Sequence, residues 1–203
     1  AARLASDLRV IEAGEFEDEN YRSNPVNRCL FCKTNLYSSL SRLTSCPLVS
    51  GTNVDDLGDF RPGLQAAKAY RVRHPYVEVG IDKATVRGIA SYLGLHDLAE
   101  LPAQPCLSSR VETGIRVEAE DLRFVDRVEE EVRRYLDAGD VRCRVNIDGV
   151  KLELPEHVMQ QERAGLRQFL EDTTRRLCDA SGYVFIGSSV YRRGSAFVGA
   201  ADT

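Results

Sequence analysis

Nowhere in these 203 residues does an apolar run approach the roughly 20 residues that a bilayer-spanning helix needs. No opening stretch has the charged, apolar and small-residue regions of a secretory signal. These two absences lead to the expectation of a cytoplasmic protein with no membrane partner. No low-complexity tract interrupts a composition of 43% hydrophobic and 29% charged residues, which suits one large or two small globular domains. An excess of basic residues is missing too: 27 Lys and Arg face 31 Asp and Glu, for a net charge of -4. Broad nucleic-acid binding rests on neutralising phosphates with Lys and Arg, so no nucleic-acid partner is expected and any anion site must be a local cluster. Methionine is scarce. The single one is Met159, while the chain opens Ala1-Ala2-Arg3, so a segment carrying the initiator is expected to precede Ala1.

A second cysteine pair with metal-ligand spacing is also lacking. The six cysteines stand at 29, 32, 46, 106, 143 and 178, and only Cys29 and Cys32 form a C-x-x-C. A structural zinc site would need two further Cys or His ligands. In a chain of this size without a secretory signal the thiols are expected to stay reduced. Three readings of Cys29 and Cys32 compete: half of a zinc site, a redox pair, or packing at a helix start.

What is present centres on Pro105-Cys106-Leu107-Ser108-Ser109-Arg110, introduced by Pro102. Two prolines three residues apart remove backbone donors and fix φ, so the segment is neither helix interior nor central strand. It reads as a shaped loop that holds one thiol beside two hydroxyls and a guanidinium. The thiolate is the reactive form of cysteine, and a nearby cation favours it. Arg110 is placed either to supply that charge or to bind an anionic substrate in two-pronged fashion. The alternative is a half-buried cysteine that behaves as a small hydrophobe.

The first part of the chain reads as α/β. Leu4 and Leu8 suggest the end of a helix, Arg9–Glu12 a short strand, and the acidic run Glu15–Asn20 a solvated loop. Asn24-Pro25 marks a turn. Leu36, Tyr37, Leu40 and Leu43 recur at helical spacing after Cys29 and Cys32. Cys46–Ser50 reads as a strand that ends in the polar run Gly51–Gly63. A strand followed by glycine and polar residues is how ligand sites form at the carboxyl ends of parallel strands. Gly51 allows close backbone approach, Thr52 offers a hydroxyl, and Asp55, Asp56 and Asp59 are candidate Mg2+ ligands; an Asx-rich turn is the alternative. His74–Val79 reads as an edge segment. Asp82 is placed as N-cap of a helix that carries Val86, Ile89, Ala90 and Leu93 and ends at Gly94. Lys83 in the first turn of that helix suits a site to which an anion comes.

The pattern changes after Gly114, and a domain boundary is expected near residue 115. Leu122, Val125, Val128, Val132, Tyr135 and Leu136 predict an amphipathic helix. Val141–Ile147 alternates as a strand, Asp148-Gly149 signals a hairpin into Val150–Leu154, and Leu166, Phe169, Leu170, Thr173 and Leu177 predict another helix. Gly182 ends it before a strand from Tyr183 to Ile186. Arg142 and Arg144 share one strand face, and two like charges there need an anion or carboxylates beside them; Glu153 is one candidate. Tyr191-Arg192-Arg193-Gly194-Ser195 is a donor-rich loop of the kind that grips phosphate. A solvated sheet face is the competing reading.

In this order the motifs resemble the LarE family of ATP-dependent sacrificial sulfur transferases, of the PP-loop ATP pyrophosphatase superfamily. The matching pieces are Arg28-Cys29-x-x-Cys32-Lys33, Gly51-Thr52-Asn53-x-Asp55-Asp56-x-x-Asp59-x-Arg61-Pro62-Gly63, Lys83-x-x-x-Arg87 and Cys106-Leu107-Ser108-Ser109-Arg110. Arg142-x-Arg144 and Tyr191-Arg192-x-Gly194-Ser195 follow. The resemblance implies an incomplete parallel-sheet PP-loop (adenine nucleotide alpha hydrolase-like) domain over 1–115 and a small α+β substrate-binding domain over 116–203. It implies that ATP, with Mg2+, adenylylates a carboxylate of a pyridinium dicarboxylate mononucleotide. The Cys106 thiolate then displaces AMP, and breaking its Cβ–S bond leaves a thiocarboxylate on the product and dehydroalanine in the protein. The product is destined for the nickel-pincer cofactor of lactate racemase.

On this resemblance Ser109, Arg110, Arg142, Arg144, Glu153, Arg192 and Ser195 bind that substrate. Gly51, Thr52, Asn53, Asp56 and Lys83 bind ATP, while Asp55, Asp56 and Asp59 hold the metal. A homo-oligomer is expected. The superfamily signature Ser-Gly-Gly-x-Asp-Ser occurs nowhere in the sequence. By motif order it would precede Ala1, and a chain without it is expected to lack a central strand and to be unable to activate a carboxylate. Two other functions are open: a tRNA-thiolating PP-loop enzyme, which would want a basic RNA-binding face, and a non-enzymatic metal- or partner-binding module around Cys29 and Cys32.

Overall fold

A computed structural model describes residues 8–101, 105–136, 139–160 and 163–192. Its helices are α1 (Glu19–Arg22), α2 (Arg28–Leu43), α3 (Gly63–Ala69), α4 (Pro75–Glu78), α5 (Lys83–Tyr92), α6 (His96–Ala99), α7 (Ala119–Arg133), α8 (Glu156–Met159) and α9 (Ala164–Ser181). The strands β1 (Arg142–Asn146), β2 (Gly149–Leu154) and β3 (Phe185–Val190) form one sheet in that order. The described residues are thus mixed α/β, with a small three-stranded sheet. Contacts divide it into two compact units, Ala1–Tyr21 with Asn27–Gly94, and Arg22–Val26 with Leu95–Thr203.

In the first unit Leu36, Tyr37 and Leu40 of the expected stripe come to one face of α2, because helical spacing aligns them, whereas Leu43 at the helix end stays exposed. That face packs on α3. Tyr37, Ala66, Ala67 and Val72 are the buried centre, with Leu30, Leu36, Leu40, Leu48 and Tyr70 around them. The two helices approach closely at Gly63: a Cβ there would lie 2.9 Å from the Lys33 side chain and 3.3 Å from the Cys29 carbonyl. The glycine of the Arg61-Pro62-Gly63 motif therefore serves packing.

Three sequence expectations for this unit are corrected. Arg9–Glu12 is not a strand; among the described residues nothing pairs with it, and Val10 stays exposed. Cys46–Ser50 shrinks to a single parallel bridge between Val49 and Arg73. His74–Val79 is no edge segment but contains the short helix α4, since Pro75 at the first helical position presets φ and loses no needed donor. The helix end expected at Leu4 lies outside the described residues.

The second unit follows the sequence closely, except that the strand expected over Tyr183–Ile186 runs from Phe185 to Val190. Gly149 sits at φ 135° and β2 runs back antiparallel to β1, with Arg142 opposite Glu153 and Arg144 opposite Lys151. Parallel strands need a long crossover, and α9 supplies it between β2 and β3. Gly182, at φ 77°, ends that helix. Phe124, Val125, Val128 and Val132 of α7 and Leu170 and Cys178 of α9 are buried, as are Cys143, Val150, Leu152 and Leu154 of the sheet. Burying each such aliphatic or aromatic side chain contributes about 1.5–3 kcal/mol. The segment at Asn24 also belongs here: Asn24, at φ 54°, is buried and its amide donates to the carbonyl of Glu112 at 2.8 Å.

The unit reaches back past the pattern change at 115 because the cysteine loop is fastened to β1. A parallel bridge joins Val111 to Val145, and the Glu112 N–H donates to the Val145 carbonyl at 2.9 Å.

Candidate functional site

Cys106 is exposed and caps the 3-10 turn Leu107–Arg110, so its thiol is accessible while its backbone is held. What holds it is Arg110, only 3% exposed. Its Nε and Nη2 donate to the two oxygens of Glu129, at 2.8 and 2.9 Å. Its Nη1 turns to the loop and donates to the carbonyls of Pro105 (2.7 Å) and Cys106 (3.1 Å) and to the Ser109 hydroxyl oxygen (3.1 Å). The Ser109 hydroxyl donates to the Cys106 carbonyl at 2.7 Å. Ser109 and Arg110, expected to face the substrate, are thus turned toward the backbone of their own loop.

Glu129 is the residue that sequence reasoning missed. Fully buried on α7, it accepts both arms of Arg110, the Arg133 guanidinium at 2.5 Å and the Cys143 N–H of β1 at 3.0 Å. Cys143 lies on the edge strand, whose outward N–H needs a partner. The signal was available: residue 129 lies four after Val125 and three before Val132, inside the apolar stripe of α7. A carboxylate there is buried and must be paired.

Arg142 and Arg144 are both nearly buried, so the solvated-face reading fails. Arg144 donates from Nε to Glu153 at 2.9 Å and from Nη1 to the Ser109 carbonyl at 2.7 Å. One guanidinium therefore ties the sheet to the cysteine loop, and Glu153 supplies the carboxylate expected of it. Arg142 donates to the Val141 carbonyl at 2.8 Å and to Asp140 at 2.9 Å, and lies 5.1 Å from the Tyr191 ring centre. Arg192 is exposed just beyond β3. Ser195 lies outside the described residues.

The charged groups of the Gly51–Gly63 run are engaged by protein partners, Asp56 and Asp59 sharing Arg61. Asn53 accepts from the Asp55 N–H at 3.0 Å while Asp56 accepts from the Asn53 N–H at 3.1 Å, a capping box. Asp56 also pairs with Arg61 at 2.6 Å, and Asp59 with Arg61 at 3.5 Å. Asp55 turns to the Lys83 N–H at 2.9 Å, so a protein carboxylate is the anion at the start of α5. Asp82 caps the same helix; bonds from Thr85 hold its carboxyl below the usual range. The Mg2+ cluster expected from Asp55, Asp56 and Asp59 does not assemble. No group of three or more His, Cys, Asp or Glu able to hold a metal occurs among the described residues, Cys29 and Cys32 included. Around Gly51 the space is open, Thr52 bonds Ser50 at 2.9 Å, and the Lys83 side chain is exposed. A cleft of about 300 Å3 beside α2, lined by Asp18, Asn35, Ser38 and Arg42 among others, contains none of the expected site residues.

The buried thiols of Cys143 and Cys178 stand apart from the exposed ones of Cys46 and Cys106. Burial, aided by the nearby Glu129 carboxylate, pushes the Cys143 thiol well up, and burial pushes Cys178 up to about 11. Both thiols stay neutral and inert at ordinary pH. No disulfide links the six cysteines, and no helix among the described residues is long and apolar enough to cross a membrane.

No protein-family model matches the chain. It is 41% identical over 156 residues to an uncharacterised protein of Synechocystis sp., a match that covers 75% of this chain and 58% of that one. It is 26% identical over 162 residues to an uncharacterised protein of Methanocaldococcus jannaschii, covering 76% and 63%. It is 25% identical over 190 residues to the pyridinium-3,5-bisthiocarboxylic acid mononucleotide synthase of Lactiplantibacillus plantarum, covering 92% and 66%. The matches thus span 58 to 66% of the length of these relatives.

Proposed function

We propose that this chain belongs to a LarE-type sulfur transferase, in which the sulfur of Cys106 passes to a pyridinium dicarboxylate mononucleotide. The observation that carries the reading is an exposed thiol on a loop locked by buried guanidinium groups. It is supported by similarity over 92% of the chain to a relative named for making a bisthiocarboxylic acid nucleotide. A carboxylate resists thiolate attack until a leaving group is placed on it, and ATP supplies that group as AMP. The Cys106 thiolate forms a thioester, and cleavage of its Cβ–S bond leaves the thiocarboxylate.

In this reading Arg110 positions the loop, and Arg142, Arg144, Arg192 and Ser195 present positive charge and donors to the substrate phosphate. Arg142 and Arg144 already lie in the unit that holds Cys106, and Arg144 bonds the loop directly. Gly51, with open space around it, is assigned to ATP together with Thr52, Asn53, Asp56 and Lys83. Asp55, Asp56 and Asp59 are held by protein donors and do not fit a shared Mg2+, so no step is routed through one.

Intact mass tests the reading. Incubation with ATP, Mg2+ and the dicarboxylate nucleotide, or with the preformed acyl adenylate, should remove about 34 Da, the mass of hydrogen sulfide, at Cys106. Cys106→Ser should keep its mass. A wild-type protein that keeps its full mass with the acyl adenylate refutes the sulfur transfer.

A further inference from the structure

We infer that Ser109 and Arg110 form an oxyanion hole for the carbonyl of Cys106 itself, stabilising the enolate that precedes loss of its sulfur. The inference rests on the sulfur-transfer reading above and adds the device that makes its last step possible. A carbonyl oxygen has two lone pairs, yet this one receives three donors: the Ser109 N–H at 3.0 Å, the Ser109 hydroxyl at 2.7 Å and Arg110 Nη1 at 3.1 Å. The first is the ordinary bond of a 3-10 turn, and the second is common for serine. The third is neither. It brings a guanidinium four residues back onto the carbonyl, with the cation 3% exposed and fixed by both oxygens of Glu129. A charge so placed acts in surroundings that screen it poorly, and it needs no reorganisation when negative charge appears on the oxygen.

The geometry divides the residue between two tasks. Its thiol faces solvent, where a substrate can reach it; its carbonyl faces the donors. In the step itself a base takes the Cα proton of the sulfur-bearing residue, and the freed pair forms an enolate with its charge on the carbonyl oxygen. The enolate collapses, Cα=Cβ forms and the Cβ–Sγ bond breaks. The sulfur leaves with that bond pair as the thiocarboxylate of the nucleotide. The proton passes to water or buffer, residue 106 remains as dehydroalanine, and no oxidant or reductant is required.

The elimination half can be driven without ATP or nucleotide. A bis-alkylating dihalide converts exposed cysteines to cyclic sulfonium groups, which eliminate to dehydroalanine; exposed Cys46 is the reference within the same chain. Peptide mass should show Cys106 eliminating at least about 10-fold faster than Cys46. Ser109→Ala should slow Cys106 about 10-fold and leave Cys46 unchanged, while Ser109→Thr, which keeps the hydroxyl, should restore the rate. Equal rates at the two cysteines of the wild type overturn the inference, whatever the variants do. So does a Ser109→Ala rate equal to wild type. Slow elimination here with sulfur loss to the acyl adenylate intact would sink the oxyanion hole alone. Fast, Ser109-dependent elimination without that loss would support the hole and sink the sulfur-transfer reading.

Discussion

Replacing Glu129 by Gln keeps the size of the side chain and removes its charge, which isolates what the buried carboxylate does. In the wild type it balances Arg110 through two bonds of 2.8 and 2.9 Å, with the two side chains 0% and 4% exposed. Removing one partner of such a pair strands the other charge in the interior, at a cost of about 3–5 kcal/mol. Arg133 adds little, because it is half exposed and recovers its hydration. The Cys143 N–H keeps an acceptor in the amide oxygen of Gln, so the further penalty of about 1–3 kcal/mol for an orphaned buried donor falls only on Glu129→Ala.

With no tryptophan in the chain, the natural probe is far-UV circular dichroism against urea. At a slope of about 2 kcal/mol per molar, the midpoint of Glu129→Gln should fall by about 1.5–2.5 M with the slope unchanged. The double variant Glu129→Gln with Arg110→Met should recover most of the loss, since it strands no charge and the Gln amide still accepts the Cys143 N–H. The thiol of Cys106 should also react faster with a chromogenic disulfide in Glu129→Gln, because the loop loses its anchor. A midpoint shift below about 0.5 M, or a double variant no more stable than the single one, would refute the reasoning.

Two further outcomes follow from packing and titration. Gly149→Ala should destabilise by about 3 kcal/mol in thermal or urea unfolding, because its φ of 135° is strained for alanine and the added Cβ would stand 2.5 Å from the Val184 carbonyl. Wild-type stability retained in that variant would contradict the hairpin packing. Cys178 has a folded-state value raised from 9.0 to about 11, so its contribution is complete below pH 9 and is lost as pH rises through about 11. Cys178→Ala should unfold with a shallower decline across that window, and an unchanged slope would show that the buried thiol does not titrate there.

Legibility in the sequence tracked distance along the chain. The stripe of α7, the glycine end of α9, the capping aspartate of α5 and the turn before β2 are all set within a few residues, and all were readable. The segment His74–Val79 is a helix rather than an edge segment because Pro75 stands at a first helical position, where it presets φ. The strand at Arg9–Glu12 failed for another reason: a strand exists only with a partner, and no local pattern supplies one. In the site, Cys106, Arg142, Arg144 and Glu153 were legible as residue types under constraint. Glu129 was visible only as a charge in an apolar stripe, without an address.

Which side chains share a face follows from residue order alone, since helical and extended backbones repeat with fixed periods, and the two prolines mark Cys106 as a thiol in a stiff loop. Tertiary structure alone decided which charge answers which. Arg110 finds Glu129 across 19 residues and Arg144 finds the Ser109 carbonyl across 35, distances that no periodicity encodes. A buried charge accepts whatever partner the folded chain brings within about 3 Å, and that choice fixes the cysteine loop to the sheet.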